Sequence, residues 1–252
     1  MIKVVLMLFL IAHVLGDFYF QSDNLAKAKL ESFPDLLKHS IIYLLSFLFL
    51  IIPVFSINIL KWALINAVAH FFLDLAKAYI KRKICKKANF DEAKSDLRSY
   101  IIDQLSHVLV IILTVILIGI RSEPVIFINV LQDLLNRGSI DFLNAISWIL
   151  LILLIMRPAS ITIVKVSNRF KPVNNEEHEG HPNAGAFIGI LERFIIILLL
   201  SVKQYAAIGF VLTAKSIARY NKIIEDPIFS EHYLLGTLQS VLFAIIPYML
   251  IF

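Results

Sequence analysis

A chain of 252 residues, 59% of them hydrophobic and with a mean hydropathy of +0.80, is too apolar for an ordinary soluble domain, which needs a charged surface. Its net charge of +5 is not a nucleic-acid signal, because the basic residues lie between apolar runs of about twenty residues, the length that crosses a bilayer as helix. The single cysteine, Cys85, excludes an intramolecular disulfide and any multi-cysteine metal site.

The composition predicts an all-α, polytopic transmembrane bundle of about eight spans. The first span, about 2–20, does not read as a secretory signal: its apolar segment Val4–Phe20 has only Lys3 ahead of it, no small-residue cleavage site follows, and it carries His13 and Asp17. A polar segment with Lys27, Lys29 and Pro34 leads to the second span, about 37–55, with His39 near its start. Pro53 and Asn58 mark a tight turn into the third span, about 60–80. The most charged stretch, Lys81 to Arg98 with seven Lys/Arg, precedes the fourth span, about 99–120.

Residues 121–140 read differently. Ser122 suits a helix cap, Pro124 a first turn and Gly138 an end. Ile126, Val130, Leu131, Leu134 and Leu135 alternate with Asn129, Gln132, Asp133 and Arg137 at helical spacing, which predicts an amphipathic helix over about 124–137 lying at the membrane interface. The remaining spans are about 142–158, 184–202, 204–220 and 232–251, with a polar loop at 169–183. The expected organisation is a four-helix module at 1–120, a linker at 121–140 and a second four-helix module at 141–252, with no internal repeat.

Eighteen of the Lys/Arg fall in or beside the loops after spans one, three, five and seven, against five on the opposite side, with Arg193 left inside a span. The charged loops should therefore face the cytoplasm and both termini the outside. On this orientation three pairs acquire a pattern. His13–Asp17 and His70–Asp74 lie on descending spans, while Asp103–His107 lies on an ascending one. Reversed order compensates reversed direction, so each aspartate sits nearer the cytoplasm and each histidine roughly 6 Å deeper, at about 1.5 Å per residue. Ionisable groups at such depth are costly and point to function.

Six such donors, His13, Asp17, His70, Asp74, Asp103 and His107, suit Zn, Mn or Fe, as one ion or two. In a metal-dependent hydrolase one of Asp17, Asp74 and Asp103 can instead serve as a catalytic base. A proton- or metal-ion-coupled transporter would use the same cluster. In the plainest alternative each histidine merely hydrogen-bonds the aspartate one turn away. His39 and Gln21 are candidates for supporting ligands or substrate. In the second half, Arg193, Lys215 and Arg219 form a candidate anion site, oriented by Glu192 and Glu231, with interhelical ion pairs as the competing reading. His178-Glu179-Gly180-His181 is one residue short of a metalloprotease signature and reads as a solvated loop. Expected partners are the lipid bilayer, an anionic small molecule or lipid, and no nucleic acid; a soluble protein docking on the basic loop 81–98 is the non-catalytic alternative.

Ala12-His13-Val14-Leu15-Gly16-Asp17-Phe18, His39, His70-Phe71-Phe72-Leu73-Asp74 and Asp103-Gln104-Leu105-Ser106-His107 together resemble the bacterial membrane-protein family known as domain of unknown function 3307, over residues 1–120. Gly189-Ile190-Leu191-Glu192-Arg193, Ala214-Lys215-Ser216-Ile217-Ala218-Arg219 and Glu231-His232-Tyr233 resemble the second half of its longer members. The resemblance implies a bacterial inner-membrane protein and brings no activity with it. A more distant similarity is to bacterial membrane-bound metal-dependent hydrolases, which also carry His and Asp on transmembrane helices.

Overall fold

The computed structural model describes residues 2–84, 92–121, 126–139, 141–170 and 184–252. The readings at Cys85, Ser122, Pro124 and the His178-Glu179-Gly180-His181 loop, and part of the basic stretch after span three, lie outside them. The described residues are almost all helical, without strands, and six of their helices are long and apolar enough to cross a membrane. The chain is a multi-pass membrane protein.

Two compact units divide it, Met1–Leu153 and Leu154–Phe252. The first contains α1 (Ile2–Val14, continued by a π-turn at Leu15–Tyr19), α2 (Asp23–Glu31), α3 (Phe33–Leu50), α4 (Ile57–Ile84), α5 (Glu92–Ile120) and α6 (Asn129–Gly138). Helix α1 packs on α3 and α5, and α4 packs on the same two, which closes a ring of four helices. Ser32 starts α3 by accepting from the Asp35 N–H, with Pro34 in the first turn, where its missing N–H costs nothing. A short 3-10 turn at Ile52–Val54 links α3 to α4. Sequential neighbours therefore run antiparallel, and His13, His39, His70 and His107 all fall toward one end of the ring.

The other end is packed with Val5, Phe9, Phe47, Ile51, Val54, Ile59 and Ile118, all buried. Its buried polar side chains turn back on their own helices: Ser46 donates to the Ile42 carbonyl, Asn66 to Trp62 and Thr114 to Val110. The outward faces carry Phe49, Phe72, Leu105 and Leu109, each more than half exposed, as a lipid-facing surface requires. Phe72 and Leu105 are close neighbours of buried ionisable residues in the chain, so each helix separates a polar inner face from an apolar outer one.

Two local features differ from the sequence expectation. The polar segment after span one is not a plain loop: Ser22 caps α2, and that helix packs against α3 and α4. The amphipathic segment forms α6, begins at Asn129 and ends at Gly138, with Ser139 left-handed at φ 48°. Val130 and Leu134 stay exposed, as an interfacial helix would leave them. The backbone N–H of Ile128 donates to the Pro53 carbonyl at 3.1 Å, which ties this segment to the α3–α4 turn, the end of the ring away from the histidines.

Helix α7 (Phe142–Asn168) runs across the division between the units. The second unit adds α8 (Ala184–Ser201), α9 (Tyr205–Ile217), α10 (Tyr220–Glu225) and α11 (Pro227–Ile251). Helix α8 packs on α9 and α11. The 13 residues of α9 extend roughly 20 Å, short of the roughly 30 Å of a hydrocarbon core. The fifth span, expected to end at Pro158, instead continues ten residues to Asn168.

Helices α1 and α3 approach closely at Gly16. A Cβ there would meet the Tyr43 ring at 2.8 Å and the Tyr43 Cα at 3.4 Å. Gly16→Ala should therefore lower stability by roughly 1–3 kcal/mol, the usual cost of overpacking. Thermal denaturation of detergent-purified protein reads this, and an unchanged melting temperature would contradict the packing described.

Candidate metal centre

Four helices deliver the ionisable residues to one end of the ring. The π-turn after α1 carries Asp17, and the wider turn rotates it relative to a regular helix. Helix α3 contributes His39 and Tyr43, α4 contributes His70, Asp74 and Lys77, and α5 contributes Asp103, Gln104 and His107. His13, His39, His70, His107 and Asp74 are each no more than 2% exposed. Residues 70, 74 and 77 follow i, i+4, i+7 spacing, so imidazole, carboxylate and ammonium stack along one face of α4.

The shortest contacts run between helices. Within the three pairs the nearest N···O separations are 3.9 Å for His13–Asp17, 3.9 Å for His70–Asp74 and 3.7 Å for His107–Asp103, too long for hydrogen bonds. Across helices, His70 Nε2 lies 3.0 Å from Asp17 Oδ1 in a hydrogen bond, and Gln104 Nε2 donates to Asp17 Oδ2 at 3.2 Å. His39 Nε2 sits between Asp17 and Asp74, at 3.4 and 3.2 Å. His107 Nε2 faces all three carboxylates at 3.7–4.0 Å. Tyr43 stacks on the His70 ring at 3.5 Å between centroids, and its hydroxyl lies 3.3 Å from His13 Nδ1.

Two lysines complete the cluster. Lys29 of α2 is buried and donates to Asp74 Oδ2 at 2.8 Å. Lys77 donates to Asp103 Oδ2 at 2.6 Å. Burial disfavours the Lys29 ammonium, but Asp74 and then Asp17 outweigh it and hold its pKa above the usual lysine value. Sequence reasoning counted Lys29 and Lys77 only as inner-face charges and did not single out Tyr43 or Gln104. The spacing of Lys77 from His70, and of Tyr43 four residues after His39, held a signal for two of these. Nothing in the sequence pointed to Lys29, because its position depends on how α2 folds back.

Several buried polar atoms in the cluster have no hydrogen-bond partner: both ring nitrogens of His39 and of His107, Nδ1 of His70 and Oδ1 of Asp74. Orphaned buried donors and acceptors on this scale call for an explanation. Tetrahedral Zn with bonds of 2.0–2.1 Å sets neighbouring ligand atoms roughly 3.3 Å apart. The His70–Asp17, His39–Asp17 and His39–Asp74 separations of 3.0, 3.4 and 3.2 Å bracket that value. Three groups have ligand atoms within 4.8 Å of one another: His13, Asp17 and His70; His39, His70 and Asp74; Asp74, Asp103 and His107. The donor set fits a divalent cation.

In the second unit the candidate anion residues go separate ways. Lys215 donates to Glu192 Oε2 at 2.6 Å and to the Thr237 hydroxyl at 3.1 Å. Arg193, 2% exposed, turns to α7: it donates to the carbonyls of Ile155 at 2.5 Å and Met156 at 3.4 Å and to the Ser160 hydroxyl at 2.7 Å. Pro158, inside α7, lacks the N–H that would meet the Leu154 carbonyl; Arg193 bonds the next two carbonyls instead, and that of Met156 also accepts from the Ser160 hydroxyl. Arg219 and Glu231 are exposed. Gln21 is buried, with its side-chain oxygen unpartnered.

The chain belongs to the family described as Protein of unknown function (DUF3307), which it matches over residues 5–135. That match covers the ring of four helices and every residue of the cluster. No curated protein and no solved structure matches the chain.

Two outcomes follow from these contacts. Lys29→Met and Asp74→Asn should each cost roughly 3–5 kcal/mol, because each strands a buried charge. The double variant should recover most of that loss, while Lys27→Met, at an exposed position, stays within roughly 0.5 kcal/mol. Melting temperatures of the four proteins read the cycle, and additive losses would deny the pair. Arg193→Met should cost roughly 2 kcal/mol or more, since it removes the buried guanidinium's hydrogen bonds to the Ile155 carbonyl and the Ser160 hydroxyl; a neutral effect would return Arg193 to the anion-site reading.

Proposed function

We propose that the protein is a metal-dependent hydrolase of the bacterial cytoplasmic membrane, acting on a phosphoester or lipid-like substrate from the cytoplasmic side. The observation that carries the reading is the convergence of four imidazoles and three carboxylates at ligand-like separations, with several of their atoms unpartnered. When bound, a divalent cation supplies a water of lowered pKa and polarises a phosphoryl oxygen. The chain's own groups do the rest. Asp74 Oδ1, free of hydrogen bonds, can accept the proton of an attacking water. Lys77 stands at the rim of the cluster with a side chain 21% exposed, and Lys81, Arg82 and Lys83 follow it on α4. These charges favour an anionic substrate.

The orientation, with the cluster in the cytoplasmic half, rests on the eighteen-to-five distribution of Lys/Arg. The packing of the opposite end favours the hydrolase over the transporter. Among the described residues, Ser46 and Thr114 there bond to their own helices, Asn66 does so through its amide N–H while its Oδ1 and the Trp62 indole N–H stay unpartnered, and Phe9, Phe47, Ile51 and Val54 fill the space. A path for ions would need a continuous line of polar groups, whereas the two unpartnered atoms there sit one turn apart on a single helix among buried apolar side chains.

The test is turnover. Purified protein offered phosphomonoesters, phosphodiesters and phospholipids should hydrolyse at least one class. A chelator should abolish this activity, added Zn or Mn should restore it, and His70→Gln should lower it by roughly 100-fold or more. Turnover that survives chelation, or cation flux into proteoliposomes without turnover of any phosphoester, would overturn the reading.

A further inference from the structure

The metal reading leaves open how many ions the cluster takes and on which carboxylates. The lysines decide between the possibilities. Asp74 and Asp103 each give one oxygen to a lysine, at 2.8 and 2.6 Å. Asp17 has no lysine: its contacts are His70, His39, His13, His107 and the neutral amide of Gln104. It is therefore the one carboxylate of the three with no lysine in direct contact, although Lys29 on Asp74 also feels its charge.

We infer that the centre holds a single divalent ion, bound by Asp17 with His13 and His70, while Lys29 and Lys77 take the place of a second ion on Asp74 and Asp103. This inference rests on the metal reading above. Imidazoles that ligate a metal are neutral, so they leave the charge balance unchanged. Three carboxylates and two ammonium groups then give the cluster one net negative charge. One divalent ion turns this into a single positive charge, which an anionic substrate can neutralise. Two ions would leave three positive charges inside an apolar bundle, where unpaired charge is expensive.

Geometry agrees with the balance. Of the three groups able to hold an ion, the Asp74, Asp103 and His107 group has both its carboxylates held by lysine, and the His39, His70 and Asp74 group has its one carboxylate so held. Only the His13, Asp17 and His70 group is free of ammonium contacts. His39 supplies the independent sign of a missing ligand. It is fully buried, neither of its ring nitrogens makes a hydrogen bond, and its Nε2 points at Asp17 Oδ1 from 3.4 Å. Its Nε2 lies nearer still to Asp74 Oδ2, at 3.2 Å, and His39 falls outside the His13, Asp17 and His70 group, so it stands beside that group as a neighbour of both carboxylates and not as a fourth ligand. Lys29 is not a mobile surface group that a second ion could simply displace, since α2 packs on α3 and α4 and buries it.

The experiment counts ions. The full chain, purified in detergent, is loaded with Zn(II), desalted and measured by elemental analysis alongside Asp17→Asn, Asp103→Asn and Lys77→Met. One zinc per chain is expected for the wild type, for Asp103→Asn and for Lys77→Met, with loss of zinc from Asp17→Asn. X-ray absorption of the loaded wild type should show an imidazole-rich shell, a readout that does not depend on any variant folding. Two zinc ions per chain, or zinc retained by Asp17→Asn and lost from Asp103→Asn, overturns the single-ion assignment and leaves the metal reading standing. No zinc on the wild type overturns both.

Discussion

A carboxylate inside an apolar bundle must be met by a partner, and in this chain the partner comes from another helix. The four-residue spacing of each His/Asp pair puts both groups on one face, yet those separations stay at 3.7–3.9 Å. The close contacts instead link α1 to α4 through His70 and Asp17, and α2 to α4 through Lys29 and Asp74. Cross-helix pairing of this kind fixes register, because sliding one helix by a turn would leave charges buried and alone. The apolar end of the ring has no such constraint; its residues need only fill space. The bundle is thus held at one end by specific polar contacts and at the other by packing.

Much of this arrangement was legible in the sequence, because depth in a membrane is readable. Apolar runs gave the spans, and the reversed order of Asp103 and His107 on a helix running the other way put all six residues at one end of the bundle. Lateral position was not readable. Spacing says that His13 and Asp17 share a face, but not that Asp17 would meet His70 and Gln104 more closely than His13. Lys29 was hidden for the same reason. A lysine in a polar segment after a span looks like an inner-face anchor, and only the fold of α2 turns it into a buried partner of Asp74.

The second half of the chain repeats the lesson with a backbone cause. Pro158 looked like the end of a span because proline removes an N–H and clashes with the preceding turn. The helix passes through it to Asn168, and Arg193 donates to the Ile155 carbonyl in the turn before it. A buried arginine that seems to await an anion can be answering the backbone. Glu192, its chain neighbour, faces a different helix and pairs with Lys215, since adjacent residues on a helix point about 100° apart.

The π-turn at Leu15–Tyr19 draws these threads together. A regular helix would stack Asp17 directly over His13 and leave the pair to satisfy itself. The wider turn swings the carboxylate toward the ring's interior, where four imidazoles surround it, and Gly16 lets the Tyr43 ring pack against the same turn. Asp74 and Asp103, on uninterrupted helices, each meet a lysine, the buried Lys29 of α2 and Lys77 at the rim. Asp17 is held away from such a partner. The backbone irregularity is therefore the feature that sets one carboxylate apart from the other two.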